Sequence, residues 1–158
     1  MMNSYLQILQ DGLKKKLDVL KKIEEKSRKQ AVLLREEKVS FESIDKTMDD
    51  KAVLLKELEN LDIGFESLYG KIRDELIPRK EEYREEIRAL QELIAQVTET
   101  SASIQAIEAR NKAEMEMAFS REKKVLQSKR NAMSVATDYY QNMNKVKNVA
   151  PQFLDKKK

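Results

Sequence analysis

Between Phe41 and Leu76, eleven positions spaced alternately by three and four residues form a single seam: Phe41, Ile44, Met48, Lys51, Leu55, Leu58, Asp62, Phe65, Tyr69, Ile72 and Leu76. Nine of the eleven are apolar or aromatic in a chain that is 41% hydrophobic overall, where about four or five would fall there by chance, so the heptad pattern is real. A seam of this period requires a long α-helix that lays one narrow face on neighbouring helices. It excludes a strand, whose side chains alternate faces with period two.

The flanking segments repeat the theme. Leu6, Leu9, Leu13, Leu17, Leu20 and Ile23 form a first helical stripe that continues more weakly through Ser27 and Ala31 to Leu34 and ends near Lys38. Ser40 then suits an N-cap, Val39 can staple onto Ile44, and Glu42 favours the positive end of the new helix. Pro78 closes the second helix and suits the start of a third, because the residue before a proline avoids the α region. That third helix opens with Glu81, Glu82, Glu85 and Glu86 and carries Tyr83, Ile87, Leu90, Ile94 and Val97 on its seam. Its pattern then degrades through Ser101, Ile104, Glu108, Asn111, Met115, Ala118, Glu122, Val125 and Lys129. The expected fold class is therefore all-α: an elongated antiparallel bundle of three long helices, up-down-up, near 5–37, 41–77 and 79–115 or beyond, with a C-terminal helical or flexible extension.

Helix length bears on function. The first two helices span roughly 35 residues, or about 50–55 Å each, and residues 79 to about 115 would match them. The chain divides on this reading into a bundle, 1–115, and a partner-binding extension, 116–158. Met115, Met117, Phe119, Val125, Leu126, Met133 and Val135 then lack a fourth helix of comparable length, and are the candidate partner-binding residues. The alternative is that the extension folds back as a short helix and uses these residues as its own core.

Composition removes most chemistry. The chain has no histidine and no cysteine, so disulfides, thiolate nucleophiles and the commonest metal ligands are absent; no catalytic residue, metal or cofactor is expected. Carboxylate pairs such as Asp49–Asp50 and Glu81–Glu82 are adjacent on a helix and do not face each other. Gly12, Gly64 and Gly70 stand alone and support no phosphate-binding loop; they are expected at close contacts or local bends. Met1 to Gln10 has no basic stretch before an apolar core, and no run approaches the roughly 20 apolar residues of a spanning helix, which places the chain in the cytoplasm.

Charge is uneven beneath a net value of +3. Residues 1–38, 39–77, 78–120 and 121–158 carry +4, −5, −3 and +7. The basic tail raises nucleic acid as a partner, with Tyr139 and Tyr140 as stacking residues. Its lysines are scattered, however, and no nucleic-acid motif accompanies them, so neither nucleic acid nor a small-molecule substrate is expected.

The tail also carries a resemblance. Asp138-Tyr139-Tyr140-Gln141-Asn142-Met143-Asn144 and Pro151-Gln152-Phe153-Leu154-Asp155-Lys156-Lys157-Lys158 resemble the C-terminus of FlgN-type flagellar export chaperones of the clostridial branch. Met2-Asn3-Ser4-Tyr5-Leu6, Leu58 to Tyr69 and Ile104 to Asn111 are also similar to that family. The resemblance implies a non-enzymatic cytosolic chaperone that binds the C-terminal helical region of hook-associated (hook-filament junction) proteins. It would prevent their premature assembly and deliver them to the membrane export gate. It further implies client binding in the later part of the third helix and beyond, and docking of Tyr139 or Tyr140 on the cytosolic domain of the export-gate protein. Such a chaperone is expected as a monomer or weak homodimer. The residues alone reach only a helical partner-binding protein, for which a self-associating structural coiled coil is the alternative.

Overall fold

A computed structural model of the chain describes residues 1–125, with side chains through Lys123. The described residues form three long helices and no strand: α1 (Met2–Leu34), α2 (Phe41–Leu76) and α3 (Arg84–Val125), with a single 3-10 turn at Ile77–Arg79. All eleven seam positions of α2 are buried or half-buried.

Local chemistry sets the ends. The Ser40 hydroxyl accepts the Ser43 backbone N–H at 3.2 Å and Glu42 occupies the first turn, so α2 starts where its capping residues dictate. Val39 packs on the cluster that contains Ile44, as a hydrophobic staple does. The first helix stops at Leu34 rather than near Lys38, because Arg35, Glu36, Glu37 and Lys38 are all exposed and no apolar position holds another turn to the bundle.

Pro78 closes α2 as expected, but α3 does not begin there. The chain passes through the 3-10 turn, and Glu81 and Glu82 precede the helix instead of forming its first turn. Arg79 organises this corner: its guanidinium donates to Glu75 at 3.3 Å, to Glu82 at 2.9 and 3.1 Å and to the Tyr83 hydroxyl at 3.0 Å, and lies 5.3 Å from the Tyr83 ring centre. The hydrogen bond with Glu82 holds the Arg79 guanidinium above its ordinary value and the Glu82 carboxyl below its own. Both groups are solvent-exposed, so they fix the geometry of the turn more than its stability.

The backbone of α1 comes within 8 Å of both α2 and α3, whereas α2 and α3 meet only through side chains. Along α1, Lys16 pairs with Asp62 and Lys26 with Asp50, so partners on α2 fall in number as α1 rises. The core is divided. A main cluster joins residues such as Leu6, Leu13 and Ile23 of α1 to Leu58, Phe65 and Ile72 of α2 and to Leu90, Val97 and Ile104 of α3. A smaller distal cluster consists of Leu34, Ile44, Met48, Met115 and Ala118.

Two expectations are corrected by this packing. A Cβ built on Gly12, Gly64 or Gly70 would meet nothing within 4 Å, so these glycines mark neither close contacts nor tight approaches. The seam of α3 does not lapse either: Ser101, Ile104, Glu108, Asn111, Met115 and Ala118 are all buried. Glu108 and Asn111 have polar partners inside the bundle, which is why a pattern read from apolar residues alone loses the seam.

Candidate partner-binding surface and the polar layer behind it

The last part of α3 divides the candidate residues into three groups. Met115 is fully enclosed and belongs to the distal cluster with Leu34, Ile44, Met48 and Ala118. The premise that Met115 lacks a partner within the chain is thereby corrected: the α1–α2 corner supplies one. Met117 is 54% exposed and Phe119 half-buried, so these two present apolar surface at the end of the bundle. Val125 is the last residue of α3, with its side chain outside the described residues, as are Leu126, Met133, Val135, Tyr139 and Tyr140. The helix runs unbroken through 115 and 116, and the burial of Ala118 carries the bundle past that boundary.

Sequence periodicity missed what lies behind this surface. Where α1, α2 and α3 converge, Ser27, Gln30, Lys51, Glu108 and Asn111 are buried together, each at most 1% exposed. The Lys51 ammonium donates to Glu108 Oε1 and to Gln30 Oε1, both at 2.8 Å. The Ser27 hydroxyl donates to the same Glu108 oxygen. Asn111 Nδ2 donates to the Ser27 carbonyl at 2.8 Å and reaches Gln30 Oε1 at 3.4 Å. Gln30 Nε2, Glu108 Oε2 and Asn111 Oδ1 have no hydrogen-bond partner among the described residues. Burial pushes the Lys51 pKa down, against the opposing attraction and hydrogen bond of Glu108.

A second charged pair lies further along α1 and α2, where Lys16, 2% exposed, meets Asp62 at 2.6 Å. The two polar members of the α2 seam thus each meet an opposite charge from another helix: Asp62 from α1, Lys51 from α3. That signal was present in the sequence as two charges interrupting an apolar seam. Their partners, 46 and 57 residues away, were not.

Chemically, this layer is a lock between helices. Lys51 and Glu108 are sealed from solvent, so no dissolved substrate reaches either group. Concavities lined by the described residues include two open grooves between α1 and α2 of about 450 and 430 Å³, lined by charged residues such as Lys15, Lys22 and Glu57 around Val19, Leu54 and Leu61, and an acidic one of about 420 Å³ at Glu81 to Glu86. Among the described residues no cluster of three or more acidic side chains is arranged to hold a metal, and no helix is long and apolar enough to cross a membrane.

Over the described residues, fold and surface together define three long helices whose shared interior is split by a polar layer. No protein-family profile, curated protein or solved structure matches the chain.

Proposed function

We propose that this chain is a cytoplasmic flagellar export chaperone that binds the C-terminal helical region of hook-associated proteins, prevents their premature assembly and delivers them to the export gate. The three helices run up-down-up as an elongated bundle, and the chain acts without catalysis as a monomer or weak homodimer. The observation that carries the partner-binding reading is the course of α3. It continues about two turns beyond Ala118, the last core residue among those described, and the exposed Met117 and half-buried Phe119 flank Ala118 on its outer faces. An amphipathic helix from a client can lie on such a surface, with flexible methionine side chains adapting to it. The flagellar assignment is supported by the resemblance of the tail and of the shorter stretches quoted above.

The alternative of a self-associating coiled coil is less well supported, because the α2 seam is filled from within the chain by α1 and α3. Truncation tests the reading. Removing residues 126–158 keeps every described member of the distal cluster, unlike removal from 116, which would take Ala118 out of the core. The shortened chain is expected to stay folded and to lose most of its affinity for a C-terminal helical fragment of a hook-associated protein. Unchanged affinity would move the client site off the end of α3 and the tail.

A further inference from the structure

All three helices change character at the same level. On α1 the apolar core stops at Ile23, gives way to Ser27 and Gln30, and resumes at Leu34. On α2 it runs from Ile44 and Met48 through Thr47 and Lys51 to Leu55, and on α3 from Ile104 through Glu108 and Asn111 to Met115. The polar layer therefore separates two apolar clusters, of sixteen and of five buried residues among those described.

We propose that the five-residue distal cluster is a cooperative unit of its own, which opens at the polar layer while the main core stays closed, so that the end of α1, the start of α2 and the end of α3 loosen together. The cost of local opening follows the apolar contact that is lost, and the distal unit has little of it. The layer adds little resistance. Opening returns Lys51 and Glu108 to water, which offsets much of the lost pairing, and hydrates Gln30 Nε2, Glu108 Oε2 and Asn111 Oδ1, which have no partner among the described residues when closed. What the opening uncovers is the apolar surface of Leu34, Ile44 and Met48 that Met115 and Ala118 cover when the unit is closed. This inference rests on the packing alone and stands or falls independently of the flagellar reading.

Native-state hydrogen exchange of the full chain, followed by mass spectrometry at increasing low concentrations of urea, tests it. Amides of 30–34, 44–48 and 111–118 are expected to share one opening, with one urea dependence, at least about tenfold faster than that of 90–104. Simple fraying would instead grade from the end of α3 inward and leave 30–34 and 44–48 with the main core; that result, or a single rate for all segments, overturns the proposal. Met115→Ala should speed exchange of the three distal segments by about 30-fold while leaving 90–104 unchanged. Equal acceleration everywhere also overturns it. Replacing the layer's charges by Lys51→Met with Glu108→Leu should bring the distal rate toward that of the main core, and an unchanged ratio counts against the layer as the dividing element.

Discussion

Breaking the buried ion pair one side at a time should be far more damaging than replacing it outright. Lys51 and Glu108 are 1% and 0% exposed and 2.8 Å apart, so each charge depends on the other for compensation. In Glu108→Leu the ammonium keeps only Gln30 Oε1, and in Lys51→Met the carboxylate keeps only the Ser27 hydroxyl. An uncompensated buried charge of this kind costs about 3–5 kcal/mol, a large part of the about 5–15 kcal/mol that holds a typical domain together. The double variant removes both desolvation costs at similar side-chain volume, and should cost less than either single change or add stability. Urea denaturation followed by helical circular dichroism reads all four proteins, provided the m-values agree. Single variants that cost under about 1 kcal/mol, as exposed pairs do, or a double variant that costs the sum of the singles, would refute the reasoning.

Three further outcomes are expected. Burial holds the Lys51 pKa below its ordinary 10.5, so the unfolded chain binds more protons between the lowered value and 10.5; this group's contribution to stability should rise with pH across that window, and the advantage of the double variant should shrink there. A flat difference between the two proteins over that alkaline range would contradict it. Gly64→Ala and Gly70→Ala should each raise stability by about 0.5–1 kcal/mol, because both positions are exposed, helical and open around the new methyl; a lower melting temperature would show contacts that the packing does not contain. Changing both Tyr139 and Tyr140 to alanine should preserve folding and client binding while weakening docking to the export-gate domain, and normal docking with loss of the client would reverse that assignment.

The fold was legible wherever apolar spacing or capping chemistry spoke for it. The α2 seam, the Ser40 cap and the close of α2 at Pro78 all follow from residues adjacent in sequence. The start of α3 departs from the sequence expectation because Pro78 opens a short 3-10 turn instead, and Arg79 shapes the corner that follows through its bonds to Glu75, Glu82 and Tyr83. Beyond Lys51, which interrupts the α2 seam, the polar layer is hidden from the sequence for a related reason. Ser27, Glu108 and Asn111 sit at seam positions yet look like interruptions until their partners, some 80 residues apart, are brought together. Lys16 and Gln30 occupy a three-and-four spacing that runs Leu13, Lys16, Leu20, Ile23, Ser27, Gln30 and Leu34, whereas a stripe traced through apolar residues alone steps to Leu17 and to the half-buried Ala31 instead. Met115 looked unpartnered because chain-length matching counts turns and cannot see that the corner between Leu34 and Ile44 reaches up to cover it.

Capture of a client by a chain that is otherwise self-contained is the central claim, and sedimentation velocity tests it most directly. The full chain would be run alone and then with a C-terminal helical fragment of a hook-associated protein. The account predicts a monomer or weak dimer alone and a one-to-one complex with the fragment. A stable multimer without the fragment, together with no complex in its presence, would contradict it and favour the self-associating coiled coil.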